Sequence, residues 1–117
     1  MKIKLFNNDT EYVSYPAGQA VFREGDGGEL MFAVIDGAVE IRIKDKLVEI
    51  IEAGGVFGEM ALIESRPRIA TALVKADAKL VPIDRRRFEF LVQQSPFFAL
   101  QLMTVMAGRL RRMDEKL

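Results

Sequence analysis

Between residues 57 and 72 the chain sets a glycine, an acid, a short helix-forming run, a proline and an arginine in an order that suits a phosphate ester. Gly58 carries no Cβ, so the backbone there can approach a bound group closely. Residues 59–63 fit one short helical turn, and the first amide N–H groups of such a turn lack intrahelical partners. Free donors and the positive end of the dipole then face the same way and favour an anion. Pro67 stops the helix, and Arg68 offers a planar fork of donors matched to phosphate. Glu59 is left as the acceptor for neighbouring hydroxyls. A phosphate beside a hydroxyl or diol describes a nucleotide. Arg66, just before Pro67, is a rival for the anion and is expected to be solvated instead.

Composition removes other chemistries. The chain of 117 residues is expected to form a single domain, 1–117. Half of its residues are hydrophobic and 29% are charged, as in an ordinary globular protein. Acidic and basic residues balance at 17 each, so no whole-chain field draws it to nucleic acid or to anionic membrane. Two short arginine groups, Arg85-Arg86-Arg87 and Arg109 with Arg111-Arg112, do not change that expectation. Histidine and cysteine are absent, which excludes disulfides, thiol chemistry, the usual zinc sites and His- or Cys-based nucleophile systems. No catalytic residue, metal ligand or cofactor is assigned. Residues 1–7 show no signal-peptide pattern, and no apolar run approaches the ~20 residues of a membrane span. A cytoplasmic location is expected.

The elements that must position this stretch are mostly short strands. Residues 11–15 and 20–23 read as strands separated by the turn Pro16-Ala17-Gly18-Gln19. The apolar run 30–35 reads as a buried strand, and Asp36-Gly37 as a hairpin turn into the alternating segment 38–44. Asp45-Lys46 turns the chain into a strand at 47–51. After Pro67, residues 68–75 and 79–83 read as two strands around a turn at 76–78. Many short strands joined by glycine turns indicate an antiparallel barrel or jelly roll.

The pattern changes at Asp84. Residues 85–94 place Phe88, Leu91 and Val92 on one helical face. Ser95 suits an N-cap and Pro96 the first helical position, opening a helix over 96–117. Ala99, Met103, Met106, Leu110, Met113 and Leu117 alternate steps of four and three, the seam of a coiled coil. Phe98, Leu102 and Val105 form a second apolar face for the barrel. A parallel homodimer through helix 96–117 is therefore expected.

The run Phe57-Gly58-Glu59-Met60-Ala61-Leu62, with Pro67-Arg68-Ile69-Ala70-Thr71, resembles the phosphate-binding cassette of the cyclic nucleotide-binding domain family. The resemblance implies an eight-stranded antiparallel β-roll, mainly β with flanking α, carrying a cassette helix and two C-terminal helices. The roll would occupy residues 1–84 and the helices 85–117. It also implies site roles. Glu59, helped by the Gly58 backbone, would accept the ribose 2′-hydroxyl, and Arg68 would pair with the cyclic phosphate. The amides of Ala61 and of Ile69 or Ala70 would complete the cradle, and Met60 would line it. Members that favour cGMP tend to carry a hydroxyl residue directly after the phosphate arginine; Ile69 stands there, which favours cAMP. The base lid would come from the last helix, with Arg109, Arg112, Met113 and Asp114 in range.

Such a protein would perform no chemistry and would signal through its last helix to an output domain or partner that the sequence does not identify. The alternative readings are a structural, dimerising β-roll without ligand, with Glu59 and Arg68 bridged to each other, or the sensing piece of a transcription regulator or channel. An enzyme is the weakest reading, because no paired carboxylates converge near Glu59 in the sequence.

Overall fold

A computed structural model describes residues 11–116, leaving residues 1–10 and Leu117, the last position of the expected seam, outside the described residues. The strands are β1 (Val13–Tyr15), β2 (Ala20–Phe22), β3 (Leu30–Ile43), β4 (Lys46–Glu52), β5 (Val56–Phe57) and β6 (Thr71–Asp84), with helices α1 (Glu59–Glu64), α2 (Arg85–Gln94) and α3 (Pro96–Lys116). All strand pairs are antiparallel in one sheet ordered β1-β6-β3-β4, with β2 added on β6 and β5 on β3. The sheet folds over as a roll but does not close into a barrel.

Six strands stand where eight were expected. The difference lies at Asp36-Gly37, which is not a hairpin. β3 runs straight through it, and β6 runs through the expected turn at 76–78 alongside, their register shifting at Asp36 and Ala38. Gly37 takes φ 87°, and a Cβ there would lie 2.2 Å from the Asp77 carbonyl oxygen. The positive φ that reads as a hairpin serves a bulge between two long strands instead. Each long strand thus bends into two halves, which restores the eight segments of the expected roll. The true hairpin is the loop Lys44-Asp45 between β3 and β4, both residues at positive φ (51° and 63°) as a two-residue primed turn requires. It is anchored by the Arg42 side chain on the Asp45 carbonyl and by Lys44 N–H on Glu24.

Alternation along β3 divides the core. Phe32 and Val34 join Phe57, Ala72, Val74 and Leu80 inside the roll. Met31 and Ala33 point to the other face, where Val81, Ile83 and Leu62 meet Phe98 and Leu102 of α3. Residues 30–35 are continuously apolar because both faces of the strand are covered. Asp84 caps α2 through the Arg87 amide at 2.8 Å, and the Ser95 carbonyl receives the Phe98 amide at 3.0 Å at the start of α3.

The two faces of α3 are both present, but the free one is rotated by about one residue from the expected seam. Met103 and Leu110 are exposed as expected, whereas Ala99, Met106 and Met113 are half-buried. The exposed row is Phe97, Leu100, Met103, Ala107 and Leu110. Met106 and Met113 are drawn inward to line a cavity. No single helix among the described residues is long and apolar enough to cross a membrane.

Candidate functional site

The cavity, about 190 Å³, opens between α1, the following loop, the inner ends of β3 and β4, and the second half of α3. Gly58 is the N-cap of α1, with φ 81°, and no side chain caps the helix start. The loop after Pro67 is not yet strand. It is stitched to the glycine-rich loop ahead of β3, with Arg68 N–H donating to Asp26 O and Gly25 N–H to Arg68 O, each at 2.8 Å. That pins Arg68 over the cavity floor.

Arg68 is only 8% exposed. Its Nη1 donates to Gly58 O at 3.0 Å and its Nη2 to Leu30 O at 2.5 Å, while the guanidinium carbon sits 4.0 Å from the centre of the Phe22 ring. Its Nε is buried with no hydrogen-bond partner. Among the described residues no carboxylate forms an ion pair with it. Burial lowers its pKa below the usual arginine value, opposed by the more distant charges of Asp26 and Glu59. Two glycines make room for the group. A Cβ at Gly28 would lie 2.2 Å from Arg68 Nε, and one at Gly58 2.9 Å from Nη1.

Glu59 is buried at 3% exposure, yet it does not meet Arg68. Its Oε1 pairs with Arg109 Nη1 at 2.8 Å. Arg109 also donates Nε to Glu49 Oε1 at 2.9 Å and Nη2 to the Val56 carbonyl. Glu59 Oε2 receives no hydrogen bond from any described residue. The internal Glu59–Arg68 bridge of the ligand-free reading is therefore absent. Glu59 Oε2 remains a free acceptor among the described residues, and none of their carboxylates pairs with the buried Arg68.

The cavity gathers Gly58, Glu59, Met60, Ala61, Arg68, Ile69 and Ala70 with Arg109 and Met113. Arg112 does not line it; its Nη2 reaches Glu49 Oε2 at 3.2 Å instead. Arg66 lies at the rim, largely exposed and 3.7 Å from Glu64, solvated as expected. Ile41, Ile43 and Val48 of the sheet face Met106, Leu110 and Met113 of α3 across the opening, two apolar walls for a flat ring. Glu49 and Phe22 line the same cavity, against Arg109 and Arg68, and the sequence reading did not name them. For Glu49 the available signal was a lone acid between Val48 and Ile50 in an apolar strand; for Phe22 there was none.

A β-roll with a buried guanidinium that no described carboxylate pairs, a buried carboxylate and a helix beside the same cavity has the parts of a ligand-binding module. The family model for the cyclic nucleotide-binding domain matches residues 12–95, and the chain belongs to that family. Over 98% of its length it is 30% identical to the CRP-like cAMP-activated global transcriptional regulator of Mycobacterium tuberculosis, of which it covers 54%. A cyclic nucleotide-gated potassium channel of Rhizobium etli is 38% identical over 72% of this chain and 23% of the channel. The catabolite activator protein structure of Thermus thermophilus superposes with a TM-score of 0.78 at 28% identity, covering 92% of this chain and 54% of that one. The chain thus spans about half the length of the regulators it matches.

Proposed function

We propose that the domain binds cAMP in preference to cGMP in this cavity, performs no chemistry on it, and signals through α3. The observation that carries this reading is Arg68, a buried cation with no acid paired to it among the described residues. Desolvating an unpaired charge is costly, and an anion that enters the cavity removes that cost. A cyclic phosphate meets the guanidinium, with the amides of Ala61 and of Ile69 or Ala70 as further donors. Gly58 leaves the backbone approachable, and Met60 lines the pocket beside it. The ribose 2′-hydroxyl donates to Glu59 Oε2 while Arg109 keeps hold of Oε1. The purine lies between the apolar walls, covered by Met113. Ile69 presents no hydroxyl to a guanine amino group, which leaves adenine favoured.

Ligand must favour one position of α3 over another for a signal to pass, and Arg109 links the ribose acid directly to that helix. The exposed row from Phe97 to Leu110 is the face we assign to a second copy of the chain, through α3. The output lies in a further segment or partner, as the partial coverage of the relatives suggests, and a cytoplasmic location belongs to the same reading.

Thermal unfolding with each nucleotide tests the assignment. Ligand at a hundred times its dissociation constant stabilises by about 2.7 kcal/mol, and cAMP is expected to reach this at lower concentration than cGMP. No shift with either nucleotide, or the reverse order, contradicts the proposal.

A further inference from the structure

Glu49, on β4 opposite Ile41, is a charged group in the apolar wall of the cavity. Its two carboxylate oxygens hold different arginines of α3, Oε1 taking Arg109 Nε at 2.9 Å and Oε2 taking Arg112 Nη2 at 3.2 Å. Arg109 and Arg112 are three residues apart and so share one face of the helix. Arg109 continues to Glu59. An unbroken path of ion pairs therefore runs from Arg112 through Glu49 and Arg109 to the cassette acid. Further back on α3, Phe98 and Leu102 are packed into the core and need no such help. Beyond Met106 the helix faces the sheet across the cavity, where side-chain packing is interrupted.

We propose that Glu49 is a positioning residue: it tethers the last turns of α3 over the cavity and holds Arg109 where its Nη1 meets Glu59, so that it sets how long a nucleotide stays bound. The proposal deepens the cyclic-nucleotide reading above and rests on it. A carboxylate suits the task because it accepts from both guanidinium groups at once, and charge-assisted bonds are about twice as strong as neutral ones. Because Arg109 is held at Nε by Glu49, its place does not depend on Glu59 alone. A ribose hydroxyl can approach Glu59 Oε2 without releasing the helix.

Two measurements on Glu49→Gln test this. In ligand-free protein, amide hydrogen exchange is expected to speed up over residues 106–115 while β3 and β6 keep their protection. With a fluorescent cAMP analogue, dissociation is expected to be roughly fivefold faster with association unchanged. Arg112→Gln, on the more exposed side of the path, moves both readouts the same way and serves alone if Glu49→Gln does not fold. In the double variant the effects fall short of the sum, because both changes break one pair. Unchanged exchange over 106–115, or strictly additive effects, overturns the proposal. A general loss of packing would instead lower protection throughout the sheet, and that outcome also overturns it. Failure of the wild-type protein to bind any cyclic nucleotide strikes the underlying reading and appears only in the second measurement, with the exchange result standing on its own.

Discussion

Glu59 Oε1 and Arg109 Nη1 stand 2.8 Å apart, joining the cassette to a helix 50 residues further along the chain. Glu59 is buried and Arg109 largely so, with side-chain exposures of 4% and 15%, so the carboxylate depends on this partner for its charge. The pair gives the sugar end of the cavity and the mobile element of the proposed sensor a common atom group.

Arg109→Leu is therefore expected to cost stability as well as binding. Removing one partner of a buried pair typically costs about 3–5 kcal/mol, because the remaining carboxylate is left desolvated and unpaired. Chemical denaturation should show that loss, and Glu59→Gln in the same background should recover part of it. Equal stability of wild type and Arg109→Leu would mean that Glu59 is solvated in solution.

Arg68→Met should behave in the opposite way. No acid is orphaned, and a buried unpaired charge disappears, so the ligand-free fold should be as stable as wild type or more so. The pH dependence carries the same sign. Burial lowers the folded-state pKa of Arg68, so the unfolded chain holds its proton at higher pH than the native one. Stability from this group then rises only in the alkaline window between the lowered folded-state value and the ordinary arginine value; at neutral pH both states are charged and the cost is constant. Denaturation of wild type and Arg68→Met near neutrality should therefore differ by an amount that does not change with pH.

Gly28→Ala separates room from strain. Its Cβ would lie 2.2 Å from Arg68 Nε, and the position does not need a positive φ. The guanidinium must move, so cAMP affinity should fall by about tenfold or more with a small change in melting temperature. Unchanged affinity would show that the arginine binds from another position.

Gly37→Ala tests the bulge. There the neighbours are backbone atoms of β6 and φ is 87°, so neither clash nor strain can relax. A loss of about 2 kcal/mol or more is expected in denaturation experiments. A near-neutral result would show that β3 and β6 can slide past each other at this point.

Leu100→Glu and Met103→Glu address the free face of α3. Both positions are exposed, at 60% and 62%, so a single chain should tolerate them. Sedimentation is expected to show the wild type as a dimer and the double variant as a monomer; identical behaviour of the two removes this face as the interface.

The cassette was legible because its signals are local: a glycine that needs positive φ, a helix start, a proline stop and an arginine at fixed spacing. For that reason the residues singled out there, Arg68 and Glu59, line one cavity. Their partners were not legible. The Glu59–Arg109 and Glu49–Arg112 pairs span β4, the cassette and α3, and nothing in a linear pattern encodes which distant arginine an acid will meet. Gly37 shows the converse, a local signal read as a hairpin turn and so assigned to the wrong element, since hairpins and bulges both place a glycine at positive φ. Likewise the 4–3 spacing on α3 gave the existence of a second apolar face, while its rotation depended on a cavity that draws Met106 and Met113 inward.

In the proposed function Arg68, buried and without a paired acid among the described residues, takes the cyclic phosphate. Calorimetric titration of wild type and Arg68→Met with cAMP tests it most directly. Saturable binding of one nucleotide per chain is expected for the wild type, with at least about tenfold weaker affinity in the folded variant; equal affinities in the two would contradict that role for Arg68.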